Sequence, residues 1–219
     1  MLITFEGLDF SGKTTQASML VAKLRGFLRA RTGEAPPVHL IREPGGTGIS
    51  ERIREILLDR KTLEMTDAAE LFLFSASRTQ LVHEVVRPAL ARGELVVCDR
   101  YDDSTMAYQG YGRGINTETV RSINRLATEA LAPALTLLID IDVDEIERRN
   151  VRAGVAFDRM ESSGREFYER VRAGYAAIAR AEPDRVVTIN GMRPVQEVER
   201  DVWHAVERII TMEKQPVGT

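Results

Sequence analysis

Leu2-Ile3-Thr4-Phe5-Glu6-Gly7-Leu8-Asp9-Phe10-Ser11-Gly12-Lys13-Thr14 decides the fold. A short apolar run passes straight into Gly7-x-x-x-x-Gly12-Lys13-Thr14, and helical apolar spacing begins at once behind it. Strand, glycine-rich loop and helix stand in the order that phosphate binding by a P-loop requires. Glycines let backbone N–H groups turn inward on phosphate oxygens, and the helix N-terminus adds partial positive charge. Gly7, Leu8, Asp9, Phe10, Ser11, Gly12, Lys13, Thr14 and Thr15 are therefore the expected ATP-binding residues. Lys13 is expected on the β- and γ-phosphates and the Thr14 hydroxyl on Mg²⁺.

Outward from this stretch, short apolar runs recur at Leu2 to Glu6, Val38 to Ile41, Leu95 to Cys98, Leu135 to Asp140 and Val186 to Asn190. Between them the segments around 13–31, 48–58, 67–92, 116–130, 144–152, 164–181 and 194–212 carry helical spacing. Five buried strands alternating with helices predict an α/β fold of the P-loop NTPase kind, a five-stranded parallel sheet with helices on both faces. Ligands of such sheets bind outside the carboxyl ends of the strands, which is where chemistry is to be sought. No linker divides two cores, so residues 1–212 are expected to form a single domain, with 213–219 a frayed tail.

Composition narrows the function. A net charge of -3 lacks the basic excess of a nucleic-acid binder, so anion chemistry must rest on local arginines. No run approaches the roughly 18 apolar residues of a membrane span, no signal peptide is expected from the residues leading into the phosphate loop, and the single Cys98 permits no internal disulfide. A cytoplasmic location is expected. His39, His83 and His204 lie far apart and form no ligand set.

A phosphate loop alone does not separate kinases from switches and motors. The guanine-reading N-K-x-D motif is absent, which argues against a GTPase. Two strands end in a carboxylate, Asp99 and Asp140, either of which suits the metal side of such a site; Asp99 is preferred because Arg100 follows it. Arginines stand where anions would bind, at Arg42, Arg78 and Arg100. Phe74 and Arg78 are four apart, so on a helix a ring and a guanidinium share a face that a nucleobase could use. By spacing alone, Phe72 and Phe74 read as core.

Five pieces carry a resemblance: Phe5-Glu6-Gly7-Leu8-Asp9, Arg42-Glu43-Pro44-Gly45-Gly46-Thr47, Asp99-Arg100-Tyr101, Ser104-Thr105-Met106-Ala107-Tyr108-Gln109-Gly110 and Asp158-Arg159. In this order and over essentially the whole length, the sequence resembles the bacterial thymidylate kinase family. The resemblance implies an NMP-kinase-like fold with a short lid at about 148–164, a homodimer, and a dTMP site made by Asp9, Phe74, Arg78, Arg100, Ser104, Thr105, Tyr108 and Gln109. It implies that Asp9 meets the sugar near its 3'-hydroxyl, that Phe74 stacks on thymine, and that Arg78 donates to a base carbonyl. Ser104 and Thr105 would read the base edge. Arg100 would hold the acceptor phosphate, Tyr108 would crowd the 2' face, and Gln109 would flank it.

Some members of that family carry an arginine inside the loop where this chain has Phe10. Transition-state charge is then expected from the lid, with Arg149 and Arg152 favoured over Arg148. The catalytic set becomes Lys13, Arg100, Asp9, Arg149 and Arg152, and the metal set Thr14 and Asp99. The expected reaction is ATP- and Mg²⁺-dependent phosphorylation of dTMP to dTDP, without nucleic acid or membrane as partner. The alternatives are a P-loop kinase for another nucleotide or small acceptor and a nucleotide-binding module without catalysis.

Overall fold

The computed structural model describes residues 1–34, 37–154, 159–160 and 164–212. Five parallel strands, β1 (Leu2–Glu6), β2 (Val38–Arg42), β3 (Leu95–Asp99), β4 (Leu135–Asp140) and β5 (Val186–Asn190), lie in the order β2-β3-β1-β4-β5. The register sets Phe5 beside Asp99 on one side and Leu137 on the other, so β1 delivers its carboxyl end to the middle of the sheet edge.

The helices are α1 (Lys13–Thr32), α2 (Gly48–Leu58), α3 (Asp67–Leu81), α4 (Arg87–Ala91), α5 (Asp102–Thr105), α6 (Thr117–Ala127), α7 (Val143–Ala153), α8 (Arg165–Ala181) and α9 (Val195–Met212). Side chains alternate across a strand. Ile3 and Phe5 with Leu135, Leu137 and Ile139 accordingly pack on Leu20 and Leu24 of α1 and on Val198, Val202 and Val206 of α9. On the opposite face, Leu138 packs with Val120 of α6 and Phe167, Val171 and Tyr175 of α8, while Leu2, Val96 and Cys98 pack with Leu81, Val82 and Val86. Helix starts follow their caps: the Thr47, Thr66 and Asn116 side chains accept N–H bonds at the heads of α2, α3 and α6.

The long helical run expected over 67–92 is α3 and α4 joined through a wider π-type turn at Val82–Val86. The expected run 116–130 ends at Ala127. Residues 102–112, which carried no helical expectation, wind as α5 and then a π-type segment, Met106–Gly112. Packing explains this segment. It lies against α8, where Gly174 leaves room for Tyr111: a Cβ on Gly174 would come within 2.7 Å of the Tyr111 ring. Phe72, expected in the core, is 61% exposed on the outer side of α3. Cys98 is fully buried, and its thiol donates to the Arg100 carbonyl at 2.9 Å.

Candidate active site

The phosphate loop runs tightly past β4. Gly7 has φ +137°, and a Cβ there would sit 2.3 Å from the Ile139 carbonyl oxygen, so only glycine fits. Behind the loop, Lys13 is buried and its ammonium donates to the Leu8 carbonyl at 2.6 Å and to Ser11 Oγ at 3.3 Å. Burial and the repulsion of Arg100 push its pKa down to about 8, against the pull of Asp99, Asp9 and Glu6. The Thr14 hydroxyl donates to Asp99 Oδ2. Two oxygen donors side by side next to a phosphate loop suit a hard cation such as Mg²⁺. Asp140, the other strand-ending carboxylate, is gripped instead by Arg172, with 2.8 Å to each of its oxygens.

Arg100 turns out of β3 with a left-handed φ of +72°, unusual for a residue other than glycine. Glu6 stitches this turn in place: its Oε1 accepts from the Tyr101 N–H at 2.7 Å and the Ser104 N–H at 3.2 Å. Its Oε2 accepts from the hydroxyls of Ser104 at 2.5 Å and Tyr175 at 2.9 Å. The Arg100 guanidinium spans the gap between loop and turn. It donates to the Gly7 carbonyl at 3.0 Å, Ser104 at 3.2 Å, Tyr108 at 3.2 Å and the Asp9 carboxylate. Asp9 also accepts from the phenols of Tyr108 at 2.9 Å and Tyr168 at 3.0 Å. Burial would raise the Asp9 pKa, but Arg100, Lys13 and the two phenols outweigh it and hold the carboxyl below its usual range.

A cavity of about 150 Å³ opens beside Arg100, lined by Asp9, Glu43, Pro44, Arg54, Leu58, Phe74, Arg100, Ser104, Tyr108, Gln109 and Met160. Most of the residues expected around an acceptor nucleotide are thus brought together. Arg78 and Thr105 are not among the lining residues and lie in the adjoining core. Arg78 is 1% exposed. Of the five guanidinium N–H groups, it donates from Nε to Glu43 at 2.6 Å, from Nη1 to Thr105 and Asn124, and from Nη2 to the Tyr101 carbonyl, leaving one Nη2 hydrogen.

A second, wider cavity of about 580 Å³ lies across the phosphate loop, bounded by Ser11, Gly12, Thr15 and Gln16 on one side and by Arg149, Arg152 and Gly191 on the other. Arg149 wraps the loop from behind, donating to the carbonyls of Phe10 at 3.2 Å, Ser11 at 3.4 Å and Gly191 at 2.8 Å. Arg152 is exposed at the rim, and Arg148 pairs with Glu145 on the outside of α7. Of the lid expected at 148–164, residues 155–158, Asp158 included, and 161–163 lie outside the described residues.

Sequence reasoning missed Glu6, Tyr168 and Tyr175 as functional groups. The tyrosines are seven apart and share one face of α8, but no local signal joins that face to carboxylates more than 150 residues earlier. Glu43 and Arg54 were also missed, although Glu6 and Glu43 both lie inside stretches that carry the family resemblance.

Burial lifts the Glu43 carboxyl to about 7 even against Arg78. A group whose folded pKa is raised adds stability that is present below its unfolded value, near 4.5, and lost as pH rises through about 7. Carboxyls held low, such as Asp9, act below this window. Thermal melts of the wild type should therefore fall between pH 5 and 8, and Glu43→Gln should fall less steeply. Identical slopes for the two proteins would count against this assignment.

The thymidylate kinase family model matches residues 5–202. A thymidylate kinase of Chlorobaculum parvum is 45% identical over 217 residues, covering 95% of this chain and 96% of that protein. One of Desulfovibrio desulfuricans is 46% identical over 213 residues, covering 94% and 95%. The crystal structure of thymidylate kinase from Ehrlichia chaffeensis superposes with a TM-score of 0.73 at 34% identity, covering 94% of this chain and 98% of that one.

Proposed function

This chain belongs to the thymidylate kinase family, and from that premise we propose that it transfers the γ-phosphoryl group of ATP to the 5'-phosphate of dTMP, giving dTDP and ADP. The observation that carries this reading is the position of Arg100. One guanidinium touches both the phosphate loop, at Gly7, and the wall of the neighbouring cavity, at Ser104 and Tyr108. A cation so placed suits two phosphates that must meet end to end.

The acceptor phosphate is already an anionic nucleophile, so no covalent enzyme intermediate is needed. Lys13 neutralises the donor phosphates, and Arg100 aligns the acceptor oxygen for in-line attack. Thr14 and Asp99 are the groups that would hold Mg²⁺, which when bound neutralises charge shared by the β- and γ-phosphates. The smaller cavity takes dTMP, with Phe74 against the base, Ser104 at its edge, and Asp9 and Tyr108 toward the sugar, while the buried Arg78 ties Glu43, Thr105 and the Tyr101 carbonyl together behind the wall. The wider cavity takes the adenosine of ATP.

The same reading has residues 1–212 acting as one kinase domain, with a lid at 148–164, in a cytoplasmic homodimer. Ile49 and Ile56 of α2 and Phe72 of α3, all exposed, support a second copy covering that side. No helix among the described residues is long and apolar enough to cross a membrane.

The test is ADP formation from ATP and Mg²⁺ against a panel of nucleoside monophosphates. dTMP should give the highest kcat/KM, and faster turnover of another acceptor would replace the reading. A second measurement concerns the sugar. The Tyr108 ring is held edge-on by Phe167, Tyr168 and Tyr175 at 5.9, 6.5 and 6.3 Å between centroids, a rigid wall. Tyr108→Ala should narrow the preference for dTMP over its ribose counterpart by about tenfold, chiefly by helping the ribonucleotide. An unchanged ratio would remove Tyr108 from that role.

A further inference from the structure

Glu70 sits in the first turn of α3, one helical turn before Phe74, and is 1% exposed. Its carboxylate gathers donors from two other parts of the chain. Gln109 Nε2 donates to Oε1 at 2.9 Å, Arg113 donates to both oxygens at 3.1 Å each, and Arg159 Nη1 lies 2.7 Å from Oε2. Arg159 in turn donates to the Leu57 carbonyl at 2.8 Å and touches Met160 Sδ at 3.3 Å. Leu58, Phe74, Gln109 and Met160 all line the smaller cavity. One buried carboxylate thus ties together the elements that form the wall of that cavity away from the phosphate loop.

The chemistry fixes more than position. A carboxylate flanked by two guanidinium groups is ionised and can only accept hydrogen bonds. Burial opposes its charge, but Arg113, Gln109 and Arg159 overcome this and hold the carboxyl below its usual range. The Gln109 amide must therefore turn its NH₂ toward Glu70 and its carbonyl oxygen away from it. Gln109 is itself 1% exposed, so its orientation is set by this bond and not by solvent.

We propose that Glu70 is a positioning residue for the acceptor nucleotide: it presents the Gln109 carbonyl oxygen to the acceptor pocket as a hydrogen-bond acceptor, and through Arg159 it fixes Leu58 and Met160 as the pocket wall. The nucleotide therefore meets Gln109 with an N–H or O–H donor. This rests on the smaller cavity being the dTMP site, so wild-type turnover of dTMP is measured first; its absence overturns that reading by itself.

Given wild-type turnover, Glu70→Gln, Gln109→Met and the double variant are compared by initial rates with dTMP and ATP varied separately. Glu70→Gln should raise the KM for dTMP about tenfold, with the KM for ATP unchanged within about twofold. Gln109→Met should do the same, and the double variant should be no worse than the poorer single one, because both substitutions remove one shared contact. A normal dTMP KM in folded Glu70→Gln, parallel rises in both KM values, or effects that multiply in the double variant would overturn the proposal. If Glu70→Gln does not melt cooperatively, Gln109→Met alone decides: a selective rise in dTMP KM supports the proposal and an unchanged value ends it.

Discussion

Lys13→Ala is expected to lower kcat/KM by on the order of 10³-fold or more while the protein melts within a few degrees of wild type. The two halves of this expectation come from the same geometry. Among the described residues the ammonium is hydrogen-bonded to the Leu8 carbonyl and Ser11 Oγ, both within five residues, so its removal breaks no long-range hydrogen bond. Removing it also relieves repulsion with Arg100, one of the causes that depress its pKa to about 8. In the reaction, by contrast, no other cation on α1 is placed behind the loop to meet the β- and γ-phosphates. Enzyme assays paired with thermal melts decide the matter. Turnover near wild type with a normal melting curve would sink the phosphoryl-transfer mechanism. Lost turnover together with a collapsed melt would show that Lys13 holds the fold.

Arg152→Ala is expected to lower kcat on the order of 10³-fold with little change in the affinity for dTMP. Phe10 leaves the loop without an arginine of its own, so charge that develops during transfer must be met from outside it. The two arginines favoured from sequence are not equivalent in the structure. Arg149 is engaged with two phosphate-loop carbonyls, with the Gly191 carbonyl beyond β5 and with Glu145, which makes it a brace of the loop, and Arg149→Ala should chiefly raise the KM for ATP. Arg152 is exposed at the rim of the wider cavity, and it is the one we expect to swing onto the transferred group. Single and double variants separate the two. A kcat for Arg152→Ala within about threefold of wild type, only roughly 0.65 kcal/mol, would make it a solvated charge and leave Arg100 to act alone. Phe10→Arg is a useful rescue in that background. The residue has φ +59° and an arginine can adopt it, but rescue is not required, because the side chain enters from a different angle.

The sheet was legible because buried parallel strands write themselves as uninterrupted apolar runs. Three strands end where the apolar runs do, and the other two run one residue past theirs, through Arg42 and through Asp99, which the sequence also reads as a strand-ending carboxylate. A charged residue closes an apolar run at the carboxyl edge of the sheet, so at Asp99 the same polarity that ends the run marks the chemistry. Segment 102–112 was not legible: Gly110 and Gly112 argue against a helix locally, and packing on α8 overrides that preference. In the site, Lys13, Thr14, Asp99 and Arg100 were found because a contiguous motif or strand end announces them. Glu6, Glu70, Tyr168 and Tyr175 were not, because their work is to hold other residues, and their partners are set by the fold and not by spacing. Arg78 shows the same limit from the other side: its helical spacing with Phe74 was correct, yet the glutamate, threonine and asparagine that surround it come from three separate segments.

Cys98 has a practical consequence. The chain's only thiol is fully buried in β3, donates to the Arg100 carbonyl, and has its pKa pushed well up by burial. Alkylating and maleimide reagents act on the exposed thiolate, so the native protein offers them no ready target. A cysteine introduced at an exposed position outside the site, such as Val151 on α7, would then be the one site to take a fluorophore or spin label in the folded protein. Movements of α7 during turnover can be followed spectroscopically without first engineering a cysteine-free background.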